Sequence, residues 1–189
     1  MDALELMQNR VSSPKLGDQP PTEEQLQQMF SAALRAPDHA GLQPWRFLTV
    51  GGDDRKALGD LYLQAALAAE PGLSDIKRDK LAKMPLRAPL LIVVVASPQQ
   101  HPKVPLIEQQ VSAGVAAQNL LLAAFAQGVG GMWRTGDMAY NPVVEQGLGL
   151  SDSEMIIGYL YLGSQPERLK TINRLDPANF VQSWPAISD

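Results

Sequence analysis

The segment from Pro105 to Gln127 constrains the fold most, because it predicts a long helix that is apolar on nearly every side. Such a helix must be covered on every side, whereas a surface helix carries one apolar stripe. A chain of 189 residues is expected to make one domain, here spanning residues 1–189. A domain this small has few faces to offer. We therefore expect the helix to be buried against a second subunit, in a homodimer.

A second apolar segment, Leu90–Ala96, is rich in β-branched residues and bounded by prolines, which predicts a buried central strand. Shorter strands are expected at Arg46–Val50, Met132–Trp133 and Ile156–Leu162. Helices are expected at Asp2–Asn9, from the N-cap Thr22 to about Ala36, and at Asp53–Glu70, Ser74–Met84 and Pro142–Gly147. Strands and helices do not alternate regularly, so the pattern favours an α+β fold over a doubly wound sheet.

Two irregular segments complete the pattern. Val11–Pro21 contains three prolines and should form no regular element. The tail Ser164–Asp189 is expected to be extended, and it carries Phe180, Trp184 and Pro185. Exposed aromatic residues usually pack on another surface, so the tail is expected to lie on something.

Charge and composition exclude several classes of function. The net charge of -4 and the absence of any basic run argue against nucleic acid as a partner. The chain has no cysteine and two distant histidines, His39 and His101, so neither a thiolate nucleophile nor a metal site is expected. The N-terminus lacks the features of a signal peptide. The apolar stretch Val111–Ala126 is shorter than the ~20 residues that span a bilayer. We expect a cytoplasmic protein without a membrane partner.

The glycine cluster Gly128–Gly131 is a weak signal for a dinucleotide site. It follows a helix and precedes a strand, whereas a Rossmann fingerprint follows a strand and opens a helix. A helix cap followed by a tight turn explains it at least as well. The sequence contains no P-loop, nucleophile elbow or His-Glu-x-x-His motif, so nothing favours a hydrolase or a metalloenzyme.

Three short segments carry most of the polar chemistry. Asn9–Lys15 combines two cations with two hydroxyls after a helix, which suits either phosphate binding or a solvated helix end. Arg35–Phe47 contains a histidine, a glutamine and a tryptophan between prolines, a set that suits the edge and face of a planar heterocycle. Gly130–Gly136 places Arg134 and Thr135 beside Trp133, whose indole could equally belong to the core.

Together these segments resemble the nitroreductase family, in the right order and over nearly the whole chain. The resemblance rests on Arg10 and Ser12, on Ala36-Pro37 followed by Gln43-Pro44-Trp45-Arg46-Phe47, and on the final Leu160-Tyr161-Leu162-Gly163. It implies a mixed, mainly antiparallel sheet flanked by helices, in an intertwined homodimer. Many members have a second arginine at the position of Val11, and serine and asparagine at those of His39 and Gly41.

The resemblance also implies a cofactor, FMN, bound at the dimer interface. One subunit would contribute Arg10, Val11, Ser12, Trp133, Arg134 and Thr135, and the other would contribute Arg35 and His39. The flavin itself would carry the chemistry, so no catalytic side chain and no metal is expected. Electrons would pass from NAD(P)H to an organic acceptor, such as a nitroaromatic or a quinone, by a ping-pong mechanism. The alternative is a flavin-binding carrier or sensor with little turnover.

Overall fold

The computed structural model describes residues 2–184, and these residues form an α+β fold as expected. The helices are α1 (Ala3–Asn9), α2 (Glu23–Ala33), α3 (Asp54–Ala69), α4 (Asp75–Ala82), α5 (Leu106–Ala126) and α6 (Pro142–Gly147). The strands are β1 (Trp45–Gly51), β2 (Leu90–Ala96), β3 (Val129–Arg134) and β4 (Met155–Ser164). Short 3-10 turns lie at His39–Gly41, Met84–Arg87, Asp137–Ala139 and Pro177–Asn179.

The four strands form one sheet in the order β1-β2-β4-β3. Neighbouring strands are antiparallel in all three pairings, so the described residues contribute no parallel pair to the expected mixed sheet. One row of paired residues runs straight across it, through Leu48, Val93, Tyr159 and Arg134. β1 and β3 are therefore the two opposite edges of the sheet.

Every residue of β2 is buried, which confirms the predicted central strand. Its side chains alternate between two cores, because successive residues of a strand face opposite sides. Ile92 and Val94 pack with α2 and α5, while Leu91, Val93 and Val95 pack with α3 and the tyrosines of β4. Thr22 and Gln25 form the predicted capping box at the start of α2. A layer of helices thus covers each face of the sheet.

The long predicted helix is α5, and its last three turns are covered by α2 and the sheet. Its first turns are different: Leu106, Ile107 and Val111 are 50%, 62% and 57% exposed. These three side chains form an apolar surface that the single chain does not cover. The expectation of burial on every side therefore holds within the chain only for the C-terminal part of α5.

β3 begins three residues earlier than predicted, at Val129. Only Gly128, in the left-handed region at φ 73°, acts as the turn after α5, so the expectation of a turn at Gly130 and Gly131 was wrong. These two glycines lie in the strand because neighbouring leucines occupy the space of a side chain. A Cβ on Gly130 would lie 2.7 Å from Leu16, and one on Gly131 would lie 2.7 Å from Leu121.

Two other boundaries differ from the predictions. α2 ends at Ala33, before the predicted Ala36, and the chain turns through Leu34–Ala36 toward Pro37. The tail after β4 has no strand or α-helix within the described residues, and its Phe180 and Trp184 are exposed. One tail contact reaches the N-terminal helix, since Arg174 Nη2 donates to Asn9 Oδ1 at 3.0 Å. The predicted tail residues from Pro185 onward lie outside the described part.

Two searches of residues 2–184 gave no candidates. None of the helices there combines the length and apolar character needed to cross a membrane. That part of the chain also contains no group of three or more His, Cys, Asp or Glu side chains that could hold a metal ion.

Candidate functional site

The N-terminal loop lies along the β3 edge of the sheet. After α1 the backbone N–H of Ser13 donates to the carbonyl of Gly131 at 2.9 Å, and that of Gly17 donates to Ser164 at 3.0 Å. Because Ser164 pairs with Val129, the loop runs antiparallel to β3. Followed back from Ser13, the loop brings Arg10, Val11 and Ser12 alongside the end of β3. One chain thus gathers both segments that were predicted to bind from the same subunit.

The last residues of β3 point to different faces of the sheet. Trp133 packs in the core with α2 and α5, where it lies over Gly158: a Cβ there would lie 2.8 Å from the indole Cδ1. Of the two readings left open for Trp133, its partly buried indole supports the core position. Arg134 lies on the other face, with its guanidinium 5.7 Å from the centre of the Tyr161 ring.

Tyr161 lies beneath two cations. Burial raises the pKa of its hydroxyl, while the nearby charges of Arg87 and Arg134 act in the opposite direction. The hydroxyl therefore stays protonated at neutral pH. Arg87 thus belongs to the same neighbourhood as Arg134, although it is 47 residues earlier in the sequence.

A cavity of about 640 Å³ opens where β3 ends, between α3, α4 and the turn that begins at Gly136. Gly136 makes that turn at φ 73°, a conformation that favours glycine. The floor is apolar, with Leu73, Leu81, Met84 and Met138, and the cationic side chains on its lining are Lys77, Lys80 and Arg87. Sequence reasoning missed these cations. The available signal was the three-residue spacing of Lys77 and Lys80, which puts both on one side of α4.

The other predicted segment, Arg35–Phe47, lies at the β1 edge. A second cavity, of about 610 Å³, is lined there by Leu34, Arg35, Ala36, Pro37, Asp38, Gln43, Trp45 and Phe47. The turn beside it is held by Asp38, whose carboxylate accepts hydrogen bonds from the N–H groups of Leu42 (3.1 Å) and Gln43 (2.7 Å). Ala40 and Gln43 adopt positive φ angles of 66° and 50°. Non-glycine residues in this region are strained, and such strain clusters at functional sites.

His39 occupies this turn and is already hydrogen-bonded within its own chain. Its Nδ1 lies 2.7 Å from Oε2 of Glu108, in the first turn of α5. The side chains of both residues are about half exposed. The ring is thus fixed at the surface with its second nitrogen, Nε2, free for another partner.

The eight predicted site residues divide into two groups at opposite edges of the sheet. Arg10, Val11, Ser12 and the Trp133–Thr135 run lie at the β3 edge, while Arg35 and His39 lie at the β1 edge. Strands are about 4.8 Å apart, so three spacings separate the edges by about 14 Å. The single chain therefore forms two half-sites and does not bring all eight residues together.

Three of the arginines in these half-sites are not neutralised within the chain. In residues 2–184, the side chains of Arg10, Arg35 and Arg134 form no ion pair with a carboxylate. Arg46 differs, because its Nε and Nη2 donate to Glu154 at 2.5 and 2.9 Å. That contact lowers the pKa of Glu154 to about 2. Arg46 is thus committed to structure, whereas the other three remain free to bind an anion.

The family model described as "Nitroreductase family" matches residues 7–164, which include both half-sites and the whole sheet. The chain belongs to the nitroreductase family. It is 44% identical over 182 residues to an Escherichia coli (strain K12) protein named "Putative NAD(P)H nitroreductase YdjA", covering 96% of this chain and 98% of that one.

Solved structures of the family share the fold. The nitroreductase-like family protein from Bacillus cereus has a TM-score of 0.81 at 24% identity, covering 98% of this chain and 97% of that one. The FMN and NADPH-dependent nitroreductase NfnB from Sphigopyxis sp. strain HMH has a TM-score of 0.76 at 19% identity, covering 97% and 99%. These likenesses confirm the predicted nitroreductase-like architecture.

Proposed function

We propose that this nitroreductase-family protein is a single-domain, cytoplasmic, homodimeric oxidoreductase that uses FMN to pass electrons from NAD(P)H to an organic acceptor. The observation that carries the proposal is the division of its site into two half-sites at opposite edges of one sheet. Each half-site contains unpaired arginine beside a cavity. A nitroaromatic or a quinone is the proposed class of acceptor. The lack of cysteine fits a reducing compartment.

A two-fold dimer would join unlike half-sites. In an isologous pair, the β3 edge of each chain can face the β1 edge of its partner, which creates two equivalent complete pockets. The uncovered surface of Leu106, Ile107 and Val111 lies on the same helix as Glu108, the partner of His39. An apolar patch beside an incomplete site supports an interface there.

The residues of the β3 edge fit FMN by their chemistry. A phosphate dianion requires several donors and positive charge, and the loop offers the guanidinium of Arg10 and the hydroxyl of Ser12. The adjacent cavity combines an apolar floor with Lys77, Lys80 and Arg87, as a planar ring with polar edges requires. Arg35 and His39 would complete the pocket from the partner chain.

When bound, FMN would supply the hydride-accepting and electron-transferring chemistry that no side chain of this chain can supply. The chain's own contribution is binding, orientation and charge. Arg134, stacked over Tyr161, and the lysines of the cavity stabilise negative charge on a bound cofactor. NAD(P)H and the acceptor would occupy the remaining space in turn, as a ping-pong mechanism requires.

The first experiment is spectroscopic. The purified protein should be yellow with flavin absorption bands, and anaerobic NADH or NADPH should bleach them. Addition of a quinone or a nitroaromatic should restore the colour, and initial rates should give parallel double-reciprocal lines. A protein that binds flavin but is not bleached by either nucleotide would instead be a carrier or sensor. A colourless protein that takes up no FMN would refute the proposal.

The second experiment tests the shared pocket with a mixed dimer. One tagged chain carries Arg10→Ala, and the other carries Arg35→Ala with His39→Ala. If the pockets are shared across the interface, both lesions fall in one pocket, and the other pocket is wild-type. Titration should then recover one tight FMN site per dimer, whereas each mutant homodimer has none. If no tight site appears in the mixed dimer, each pocket is built from a single chain.

A further inference from the structure

The hydrogen bond between His39 and Glu108 fixes which nitrogen of the imidazole carries the proton. An ionised carboxylate only accepts hydrogen bonds. With Nδ1 2.7 Å from Oε2 of Glu108, the hydrogen must therefore sit on Nδ1 of His39. The neutral ring then has its lone pair on Nε2, so it accepts a hydrogen bond there and cannot donate one.

The contact contributes little to the stability of the fold. The His39 and Glu108 side chains are 56% and 46% exposed, and exposed ion pairs have small net energies. The surroundings nevertheless hold the histidine closely, since Asp38 fixes the backbone of the turn and Ala40 is kept at positive φ. Strain together with a fixed ring is expected where a side chain must be oriented for a ligand.

We propose that Glu108 is a positioning residue that holds His39 in the Nδ1–H form, so that Nε2 accepts a hydrogen bond from an N–H or O–H group of the bound flavin nucleotide. The ligand part of this inference rests on the proposed function. The tautomer part concerns the chain alone. Glu108 acts through His39, and its carboxylate needs no contact with the cofactor.

The second histidine provides an internal control. The backbone N–H of Lys103 donates to Nδ1 of His101 at 3.2 Å, so a neutral His101 carries its hydrogen on Nε2. The chain has only these two histidines. The structure thus assigns opposite tautomers to the only two imidazoles of the protein, which makes their nuclear magnetic resonance signals simple to assign.

The tautomers can be read from ¹⁵N-labelled protein, as purified, at a pH where both rings are neutral. His39 should show a protonated Nδ1 and a bare Nε2, and His101 should show the reverse. In Glu108→Ala, His39 should change to the Nε2–H form that free imidazole prefers, while His101 stays unchanged. The matched control is Glu24→Ala, which also removes an exposed glutamate from a first helical turn.

Two results of this measurement would overturn the positioning role: Nε2–H on His39 in the wild-type protein, or no change in the Glu108→Ala variant. The tautomer measurement does not require flavin. It therefore stands even if the protein binds no FMN, a result that would end the proposed function separately.

FMN titration then tests the ligand part. Glu108→Ala and His39→Ala should each weaken FMN by roughly tenfold, the size of one hydrogen bond. In the His39→Ala background, Glu108→Ala should cause no further loss, because its effect passes through the ring. Additive losses would mean that Glu108 acts independently of His39. Unchanged affinity in all variants would show that His39 does not contact the cofactor, although FMN binding itself would stand.

Discussion

The two edges of the sheet carry complementary halves of the proposed pocket but are built differently. The β3 edge is held by backbone: a strand, a loop hydrogen-bonded to it and glycines that admit leucine side chains. The β1 edge is held by side chains, with Asp38 on the turn, Glu108 on His39 and Glu154 on Arg46. Backbone pairing is insensitive to most substitutions, whereas each carboxylate contact depends on one residue. The β1 edge is therefore the adjustable half.

The largest effect should come from the ligand-binding charge of the β3 edge. Arg10→Ala should weaken FMN by on the order of 30- to 1,000-fold, equivalent to about 2–4 kcal/mol, since a charge-assisted phosphate contact is lost. The free energy of unfolding should change little, because Arg10 forms no ion pair in the described chain. Fluorescence titration and urea denaturation measure the two quantities.

Arg168→Ala is the control for Arg10→Ala, because it removes the same charge from the exposed tail. It should leave FMN affinity unchanged. If both variants weaken FMN equally, the effect is one of overall charge and the loop is a solvated helix end.

An intermediate effect is expected from acid at the β1 edge. The Arg46 contact lowers the pKa of Glu154 to about 2, so the stabilisation is complete above the usual carboxyl value of 4.5 and is lost as the pH falls toward 2. At pH 7, Glu154→Gln should therefore be less stable than wild type by about 1–3 kcal/mol. The difference should vanish near pH 2. Urea denaturation across this range measures it, and a constant difference would contradict the assignment.

The smallest effect concerns the strained turn. Glycine adopts positive φ freely, so Ala40→Gly should relieve strain that offsets the usual entropic cost of glycine, and stability should change by less than about 0.5 kcal/mol. The matched variant Ala57→Gly, on the exposed side of α3, should cost about 1 kcal/mol. Thermal denaturation compares them. Equal losses would show that the Ala40 backbone carries no strain.

The elements that were predictable from sequence are those whose residues determine their own environment. β2 was predicted to the residue, because seven apolar residues between prolines have no other stable location. α5 was predicted within one residue at each end. The N-terminal part of the site was also accessible, since its motifs are contiguous. The extent of β3 was not, because Gly130 and Gly131 have low strand propensity and are required by leucines distant in sequence.

The remaining parts of the site depend on the fold. Lys77, Lys80 and Arg87 line a cavity with Gly136 only because α4 packs beside the turn after β3. Likewise, nothing local to His39 indicates that Glu108, 69 residues later, will accept its hydrogen bond. Sequence patterns report the periodicity of single elements, whereas these contacts are set by how elements pack.

The division of the pocket between two sheet edges links cofactor supply to assembly. In the proposed dimer, FMN binds groups from both chains, so it binds the associated state and not the separated one. Mass action then requires that flavin stabilise the dimer, and that dimerisation raise flavin affinity by the same free energy. At low protein concentration the two losses occur together. A cell short of flavin would therefore contain separated chains as well as empty pockets, and restoring the vitamin would reassemble the enzyme without new synthesis.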